Sequence, residues 1–411
     1  MNSKKIYMVG IGGVGMSALA QFYAAQGARV SGSDRASSPT TDMLSKKGIQ
    51  VCLEQKTEQV PPDADLLVYS DAVPAENPER ARGKELGIPE HSYFEALGKA
   101  VEGKRVVAVS GTHGKTTTTA MLGKILIDAG FDPTVIVGSI VTDFGSNFHA
   151  GKSDIVVVEA CEYRRHFLTF CPEVLVITNI EWDHTDYFKS PEELAVAFNE
   201  ARGQARIVIE KEQYGNESVP ELLVPGEFNK ENARAAKAAA RAIAPDISEA
   251  DMDKSLKLFK GSWRRFEYKG VLPGGALLYD DYAHHPTAIR KTIEAAKEKF
   301  PNKKIVVLFH PHLYSRTRDL FQDFAEALAG ADEAYVLPVY AAREEYDGTV
   351  SNTALAEATN KRGGQATALG GLEEAAQKLK TFSSDTVVFT MGAGDIYKAG
   401  EAALRKAQDK P

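Results

Sequence analysis

The sequence predicts an α/β protein whose sheets are parallel and flanked by helices. Short apolar runs alternate with helical segments along the whole chain, which is the pattern of strands joined by crossover helices. Two glycine-rich loops, GIGGVG at 10–15 and GTHGKT at 111–116, each lie where an apolar run passes into a helical segment. At 411 residues the chain is too long for one ordinary core, so two or three domains are expected.

The elements fall into three groups along the chain. In the first group, the strands IYMVGI, ARVSGSD, QVCL and DLLVYS alternate with the helical segments VGMSALAQFYAAQG and TTDMLSKKG, which predicts a parallel, doubly wound sheet. The second group opens with EGKRVV and continues with the strands TVIVG, DIVVVEA and VLVITNI. It ends with the alanine-rich helix KENARAAKAAARAIA.

The third group begins after FKGSWRRFEYKG, a stretch typical of a hinge followed by a hairpin. It contains the strand ALLYDDYAHHP, a helix to Phe300, the strand KIVVLFHP and a helix to Leu328, and it ends with EAYVLPVY and DTVVFTMGAGDIY. The three groups predict three α/β domains, over residues 1–100, 101–267 and 268–411.

The composition argues against two classes of partner. The net charge of −7 disfavours a nucleic-acid-binding face, because such a face needs clustered positive charge. No apolar run approaches the roughly 20 residues that cross a bilayer, so no membrane segment is predicted. The N-terminal residues MNSKK lead directly into a strand and show no signal-peptide pattern, which indicates a cytoplasmic protein.

The first glycine-rich loop has the spacing G-x-G-x-x-G through Gly10, Gly12 and Gly15, and Asp34 closes the next strand 19 residues later. The glycines allow backbone N–H groups to approach a phosphate at the positive end of a helix, and an acid at this position holds a ribose hydroxyl. Taken alone, the loop indicates a dinucleotide-binding fold. The alternative is that the glycines only permit tight packing of the helix on the strand.

The second loop is a shortened form of the phosphate-binding loop. Gly111, Gly114, Lys115 and Thr116 keep the end of that motif. The lysine can reach the β- and γ-phosphates of ATP, and the threonine hydroxyl can ligate Mg²⁺. The sequence therefore predicts that the second group binds ATP.

Polar residues end the two strands that follow this loop. Glu159 closes DIVVVEA, Asn179 closes VLVITNI, and Asp183 and His184 come just beyond it. Adjacent parallel strands end at the same crevice as the phosphate loop, where a carboxylate and a neutral imidazole could complete the coordination of Mg²⁺. The alternative is a surface acid and a hydrogen-bonded core histidine.

Three further clusters gather ionisable residues. Arg264 and Arg265 in WRRFE offer guanidinium forks for phosphate or carboxylate, and an ion pair between domains is the alternative. DDYAHHP at 280–286 and HPHLYSRTRD at 310–319 gather acids, imidazoles and arginines at strand ends. They predict a cationic pocket for a small carboxylate, and solvated charges at loop tips are the alternative.

These strings together resemble the Mur ligase family over the whole length of the chain. The resemblance is carried, in the family's order, by GIGGVGMSALA, GTHGKTTTTAM, EACEYRRHFL, TNIEWDH, GEFNKENARAA, RRFE, DDYAHHPTAI, SRTRDLFQDFAEAL, YAARE and MGAGDI. GIGGVGM and DDYAHHP favour the alanine-adding members. The resemblance implies a Rossmann-like N-terminal domain, a P-loop central ATPase domain and a Rossmann-like C-terminal domain.

The resemblance also implies a reaction. Such a ligase uses ATP to join L-alanine to the carboxylate of UDP-N-acetylmuramate through an acyl phosphate, in peptidoglycan precursor synthesis. The activation is needed because oxide is a poor leaving group and phosphate is a good one. The N-terminal domain is then expected to bind the UDP of the sugar rather than a dinucleotide. ATP and Mg²⁺ are the expected cofactors, and the expected assembly is a monomer or a homodimer.

The resemblance assigns site residues position by position. The UDP-sugar would be bound by Gly12, Gly13, Met16, Asp34 and Ser70. The nucleotide would be bound by Gly111, Thr112, His113, Gly114, Lys115, Thr116 and Thr117, together with Asn229 and Arg265. The metal would be held by Thr116, Glu159 and His184, and the amino-acid side of the reaction would involve Tyr282, His284, His312 and Arg316. Lys115 and His184 are the expected catalytic residues.

Two other functions remain open at this point. One is a related ligase that adds a different amino acid or a recycled peptide to the same UDP-sugar. The other is a UDP-sugar-binding protein that has lost catalysis. It is suggested by the stretch between FNEARGQARIV and PGEFNKEN, which is shorter than the corresponding segment of the family. Leu313 also departs from the family, where many members have an arginine.

Overall fold

The apolar runs form the strands of three separate sheets. The protein is described here by a computed structural model, which covers residues 3–342, 344–346 and 348–405. The predicted α/β fold is confirmed, because each sheet is mainly parallel and carries helices in its connections.

The first sheet has five parallel strands in the order β3-β2-β1-β4-β5. Its strands are β1 (Lys5–Val9), β2 (Arg29–Ser33), β3 (Gln50–Cys52), β4 (Leu66–Tyr69) and β5 (Glu90–Ser92). Its helices are α1 (Val14–Ala25), α2 (Pro39–Lys46), α3 (Pro78–Glu85) and α4 (Tyr93–Ala100). The strand order reverses between β1 and β4, so their carboxyl ends flank the crevice where such sheets bind ligands.

The second sheet has six strands in the order β11-β10-β6-β9-β7-β8, and only the pair β7–β8 is antiparallel. Its strands are β6 (Arg105–Ser110), β7 (Thr134–Val141), β8 (Ser146–His149), β9 (Ile155–Glu159), β10 (Val174–Ile177) and β11 (Ile207–Ile209). The helices of this stretch are α5 (Lys115–Asp128), α6 (Pro191–Gln204), α7 (Lys211–Tyr214), α8 (Glu227–Ile243) and α9 (Glu249–Lys257).

The third sheet has six strands in the order β12-β13-β17-β14-β15-β16, and only β12 is antiparallel to its neighbour. Its strands are β12 (Glu267–Val271), β13 (Leu277–Asp281), β14 (Lys304–Phe309), β15 (Glu333–Val336), β16 (Ala366–Ala368) and β17 (Thr386–Met391). Its helices are α10 (Pro286–Lys299), α11 (Tyr314–Asp319), α12 (Phe321–Ala329), α13 (Asn352–Lys361), α14 (Leu372–Leu379) and α15 (Ile396–Leu404). Apolar clusters cover both of its faces.

The chain divides into two compact units. The first unit contains the residues up to Ile180, Ala195–Pro220 and Asn232–Phe259, and the second contains Glu181–Leu194, Glu221–Glu231 and the residues from Lys260 on. The first unit therefore holds the first and second sheets, and the second unit holds the third sheet. The domain boundaries at 100/101 and 267/268 stay a prediction.

Helix α1, which follows the first glycine-rich loop, packs against the hairpin β7–β8 of the second sheet. Phe22 meets Phe148 edge to face, with 6.3 Å between the ring centroids. Asn147 donates to the Val14 carbonyl at 2.6 Å and accepts from Gln21 at 2.9 Å. Because these buried polar groups satisfy one another, they fix the helix of the first sheet to the edge of the second.

Two features of the fold differ from the sequence-based expectation. The predicted helix to Leu328 is two helices, α11 and α12, because the backbone leaves the helical region at Leu320 (φ −108°, ψ 21°). The short strands β5, β8, β11 and β16 were not predicted at all. The hairpin predicted at FKGSWRRFEYKG is confirmed, since β12 pairs with β13 as antiparallel neighbours.

Within the residues that the structure describes, every helix is too short or too polar to cross a bilayer.

Arg264 anchors the hairpin of the third sheet from inside. Its side chain is 3% exposed, and its Nε donates to Asp280 Oδ2 at 2.6 Å. Its other two nitrogens donate to the carbonyls of Gly394 (3.0 Å) and Gly392 (2.6 Å). The predicted anion-binding role is therefore not available to Arg264, whose donors serve the scaffold of the second unit.

Replacing Arg264 with Met should lower the free energy of unfolding of the second unit by about 3 kcal/mol, because it leaves the Asp280 carboxylate buried without its partner. Both tryptophans of the chain, Trp182 and Trp263, lie in the second unit, so urea unfolding followed by tryptophan fluorescence measures this unit alone. Arg290→Met is the matched control, since Arg290 is exposed on α10 and surface changes typically stay within about 0.5 kcal/mol. Equal losses in the two variants would contradict the assigned role.

Candidate active site

The second glycine-rich loop joins β6 to α5, and its shape depends on Gly114. This residue precedes α5 and has a φ of 84°, a left-handed conformation that glycine adopts without steric cost. A Cβ at Gly114 would lie 2.3 Å from Oδ1 of Asn232, a buried residue of α8. The loop and Asn232 therefore touch, and no larger residue fits at this position.

The end of β10 holds the loop in place. Asn179 accepts from the backbone N–H of His113 at 2.9 Å through Oδ1, and its Nδ2 donates to the His113 carbonyl at 3.0 Å. The Asn179 carbonyl accepts from the N–H of Thr112 at 3.1 Å. Lys115, Thr116 and the buried Thr117 then form the first turn of α5, where the helix dipole favours negative charge.

Lys115 lies over the loop that precedes it. Its ammonium donates to both carboxylate oxygens of Glu162, at 2.9 and 3.0 Å, and to the carbonyls of Gly111 (2.5 Å) and Thr112 (3.2 Å). Burial is the largest effect and opposes the charged form of this lysine, but Glu162, together with Cys161 and Glu159, outweighs burial and raises the pKa of Lys115. The side chain is therefore a fixed positive charge at the mouth of the loop.

Thr116 and Glu159 are in direct contact. The Thr116 hydroxyl donates to Glu159 Oε1 at 3.0 Å, and Glu159 Oε2 accepts from the backbone N–H of Gly138 at 2.7 Å. A Cβ at Gly138 would lie 2.5 Å from that carboxylate. A hydroxyl and a carboxylate beside a phosphate loop are the oxygen ligands that Mg²⁺ takes in proteins, so these two residues fit a magnesium ion.

The first glycine-rich loop closes on Asp34. Asp34 Oδ2 accepts from the N–H of Gly12 at 2.8 Å, and Oδ1 accepts from the N–H of Arg35 at 2.7 Å. A Cβ at Gly12 would lie 2.7 Å from Asp34 Oδ2, so only glycine allows this approach. Gly13 precedes the first residue of α1. Asp34 therefore stabilises the loop itself.

Ser70 lies beside the same loop, at the carboxyl end of β4. A Cβ at Gly10 would be 3.0 Å from the Cβ of Ser70, and the Ser70 hydroxyl accepts from the N–H of Ala72 at 3.4 Å. Met16 is on α1 and is 3% exposed, so its side chain packs in the interior. The structure thus places Ser70 beside Gly10 of the loop at the β1/β4 crevice, with Met16 next to Gly13 in the interior.

The second unit contains a buried cluster of charged and imidazole groups. Arg316 Nε donates to Asp183 Oδ1 at 2.7 Å, and an Arg316 terminal nitrogen lies 3.3 Å from His312 Nδ1. The rings of His284 and His312 have their centroids 6.4 Å apart. His284 Nδ1 lies 2.9 Å from the Tyr282 carbonyl, which can only accept, so Nδ1 carries the proton and Nε2 is left as an acceptor.

The charges of this cluster are set by the pairs within it. Burial alone would raise the pKa of Asp183, but the Arg316 guanidinium and the neighbouring imidazoles hold it well below its usual range. Burial and the Arg316 charge lower the pKa of His284 well below 6.5, against the opposing effect of Asp183. At neutral pH the cluster therefore contains a charged Arg316–Asp183 pair and a neutral His284.

Three predicted ATP or metal residues belong to the second unit. His184 has a φ of 54°, and its N–H donates to Asp183 Oδ1 at 2.7 Å. Asn229 donates to the Pro225 carbonyl at 2.7 Å at the start of α8. The guanidinium carbon of Arg265 lies 4.9 Å from the centre of the Tyr282 ring. Their assignments to ATP and the metal stay predictions.

Glu162 and Asn232 were not named by the sequence analysis, although both touch the phosphate loop. Glu162 is the second acid of EACEYRR, three residues beyond Glu159, and Asn232 is the second asparagine of FNKEN, three residues beyond Asn229. The second acid and the second asparagine were the sequence features that could have pointed to these two contacts. The contact of each depends on a chain segment distant from the loop, which spacing alone does not reveal.

Three family models match the chain in order. The model of the Mur ligase family, catalytic domain, matches residues 5–105, the Mur ligase middle domain matches 109–206, and the Mur ligase, glutamate ligase domain matches 264–394. Together they span most of the sequence, and each match contains one of the three sheets or most of it.

Curated relatives are similar over the full length of the chain. A UDP-N-acetylmuramate–L-alanine ligase of Desulfitobacterium hafniense is 39% identical over 448 residues, with 97% of this chain and 99% of the relative covered. A ligase of the same name from Clostridium acetobutylicum is 37% identical over 454 residues, with 98% of each covered. Because this alignment is longer than the 411-residue chain, the relative has segments that this chain lacks.

A solved structure is similar in fold as well. The UDP-N-acetylmuramate-alanine ligase of Thermotoga maritima superimposes with a TM-score of 0.82 at 30% sequence identity, and the match covers 97% of this chain and 98% of that one.

The stability of the second unit should fall as the pH drops below about 6.5, because the unfolded chain protonates His284 there and the folded chain does not. This single group can contribute up to about 1.4 kcal/mol per pH unit. His284→Asn keeps a donor for the Tyr282 carbonyl and removes the titration. Urea unfolding followed by tryptophan fluorescence at pH 5, 6, 7 and 8 should therefore show a smaller loss of stability in the variant. Identical pH dependence in the two proteins would refute a neutral, half-buried His284.

Proposed function

We infer that this chain, which belongs to the Mur ligase family, is an ATP-dependent ligase that joins L-alanine to the carboxylate of UDP-N-acetylmuramate. The product is a precursor of peptidoglycan, the polymer of the bacterial cell wall. The observation that carries this function is the full-length similarity to ligases of this name, at 36–39% identity. The names of these relatives favour alanine over a different amino acid, and the contact of Thr116 with Glu159 beside Lys115 argues against a protein without catalysis.

The reaction must activate a carboxylate that is otherwise inert toward an amine. A carboxylate oxygen of the muramate attacks the γ-phosphorus of ATP, ADP leaves, and the sugar carries an acyl phosphate. The alanine amine then attacks the acyl carbon, and a tetrahedral intermediate collapses to an amide and inorganic phosphate. The amine loses a proton in this step, so the reaction needs a group that accepts it.

We propose that the second sheet performs the phosphoryl transfer. Lys115 carries a fixed positive charge that can stabilise the transferring phosphoryl group if the ammonium turns from Glu162 to the phosphate oxygens. Thr116 and Glu159 offer the oxygens that would hold Mg²⁺, which when bound neutralises charge on the phosphates. The loop residues Gly111–Thr117 would offer backbone N–H groups to the phosphates of ATP at the start of α5.

We propose that the crevice of the first sheet holds the UDP-sugar. Gly12 and Gly13 let a diphosphate approach the start of α1, and Ser70 lies beside Gly10 of the same loop, at the end of β4. Asp34 acts here by holding the Gly12 amide, which is a positioning role. Met16 supports the loop from the interior.

We propose that the cluster of the second unit receives alanine. His312 and Arg316 provide donors for its carboxylate, and Arg316 stays charged beside Asp183. The neutral His284 presents Nε2 as an acceptor for a proton of the attacking amine, next to Tyr282. A neutral imidazole suits this position because a charged one would repel the ammonium form of alanine.

Phosphate release from ATP should require both UDP-N-acetylmuramate and L-alanine. A coupled assay of phosphate, run with each substrate omitted in turn and with glycine, serine or a tripeptide in place of alanine, measures this requirement. Release with alanine and the UDP-sugar together establishes the ligase. Release only with a tripeptide would instead indicate the peptide-adding activity, and absence of release with bound UDP-sugar would contradict the ligase.

Lys115→Ala and Lys124→Ala provide the matched pair for this assay. Lys115→Ala should lower the rate of phosphate release on the order of a hundredfold or more. Losses of this size follow when an enzyme loses one donor that stabilises the negative charge developing in the transition state. Binding of UDP-N-acetylmuramate should persist, because the sugar site is on the first sheet. Lys124 is on the same helix and pairs with Asp128, so its removal should leave the rate near that of the wild type.

Arg316→Ala should raise the KM for alanine about tenfold and change the KM for ATP much less, because a charge-assisted hydrogen bond to the alanine carboxylate is lost. Arg316→Lys keeps a positive charge beside Asp183 but removes the planar guanidinium. It therefore distinguishes a loss of alanine binding from a loss of folding. Arg318→Ala is the control on the same helix, since Arg318 is exposed and pairs with Asp319. An unchanged KM for alanine in both Arg316 variants would remove this residue from the alanine site.

A further inference from the structure

The segment Glu162–His166 connects the two candidate binding regions of the first unit. At one end, the Glu162 carboxylate accepts from the Lys115 ammonium at 2.9 Å. At the other end, His166 Nε2 lies 3.3 Å from Asp71 Oδ2, and Asp71 directly follows Ser70 at the end of β4. Five residues therefore join the lysine of the phosphate loop to the crevice of the first sheet.

The middle of this segment has an uncommon backbone conformation. Arg164 (φ 50°, ψ 25°) and Arg165 (φ 60°, ψ 27°) are both left-handed, a region that few residues other than glycine occupy. The turn is closed by hydrogen bonds from Arg165 N–H to the Glu162 carbonyl and from Phe167 N–H to the Cys161 carbonyl, each 2.9 Å. Two consecutive residues of this kind are typical of functional segments.

The two arginines have different surroundings. Arg165 forms an ion pair with Glu200 of α6, within the first unit. Arg164 is exposed, and its guanidinium carbon lies 5.4 Å from the centre of the ring of its neighbour Tyr163. Burial raises the pKa of Asp71, and the nearby Arg164 charge opposes that rise.

The His166 ring keeps the far end of the segment in place. It stacks on Phe94 of α4 with 3.9 Å between the ring centroids and an interplanar angle of 16°. Together with the Asp71 contact, this stacking ties the segment to the first sheet, as Glu162 ties it to the second. The backbone at Arg164 is therefore held between contacts to both binding regions.

A UDP-sugar bound at the crevice of the first sheet has to extend its reacting carboxylate toward Lys115, and it carries anionic groups along this path. We propose that Arg164 binds one of these anions, either the diphosphate or the carboxylate of UDP-N-acetylmuramate. The planar guanidinium is suited to both, since it can donate two parallel hydrogen bonds to either group. This inference rests on the proposed function and adds a sugar-nucleotide contact to it.

The test measures binding of UDP-N-acetylmuramate by titration calorimetry, without ATP, to the full chain and three variants. Arg164→Ala and Arg164→Gly both remove the guanidinium, and glycine in addition accepts the left-handed backbone. Arg206→Ala is the matched control, because Arg206 is an exposed arginine of the first unit that precedes β11. It lies at the edge of the second sheet opposite the phosphate loop, since β11 runs parallel to β10 and β6.

Both Arg164 variants should bind UDP-N-acetylmuramate about tenfold or more weakly than the wild type, and Arg206→Ala should bind it equally well. UDP-N-acetylglucosamine, which lacks the carboxylate, distinguishes the two anions. Weaker binding of both sugars identifies the diphosphate, and weaker binding of the muramate alone identifies the carboxylate.

Unchanged binding of UDP-N-acetylmuramate in both Arg164 variants would overturn the inference. Wild-type affinity in Arg164→Gly alone would overturn it as well, because the loss in Arg164→Ala would then come from the backbone. Absence of binding to the wild-type chain would instead refute the proposed function, so the two failures are distinguishable.

Discussion

The parallel pairing of β6 with its two neighbours is the constraint on which the geometry of the second glycine-rich loop depends. Val109 of β6 is opposite Glu159 of β9, and Ser110 is opposite Ile177 of β10. Glu159 therefore lies on one side of the loop that leaves β6, and Asn179 lies on the other side of that loop. A slip of one residue in either register would turn these side chains to the opposite face of the sheet. The contacts of Thr116 with Glu159 and of His113 with Asn179 follow from this alignment.

The strands that position the site were predictable because they are buried on both faces, and buried parallel strands appear as unbroken apolar runs. RVVAV, IVVV and VLVI are such runs, and each ends directly at a motif. Three of the unpredicted strands are short and partly polar, such as EHS at Glu90–Ser92 and ATA at Ala366–Ala368. The fourth, IVI at Ile207–Ile209, is apolar but only three residues long. Their extended conformation comes from pairing with a neighbouring strand, so their own residues give little sign of it.

The candidate site was predictable where a motif places its residues next to one another and less so where the fold brings distant segments together. Lys115, Thr116 and Glu159 follow from the loop and from one strand end. Asn232 meets the same loop from α8, more than a hundred residues further along the chain, and Glu162 reaches Lys115 through a turn with left-handed residues. No sequence spacing predicts either contact, because each contact depends on how a helix or turn approaches the sheet.

Two pairs of adjacent arginines show that neighbouring residues of the same type can have different surroundings in the fold. Of Arg264 and Arg265, the first is buried and pairs with Asp280, whereas the guanidinium of the second lies over Tyr282. Of Arg164 and Arg165, the second pairs with Glu200 and the first is exposed. A basic dipeptide offers two guanidinium groups for an anion, but side chains at adjacent positions leave the backbone in different directions. One of them can therefore brace the scaffold while the other is presented to a ligand, and only the local backbone conformation decides which.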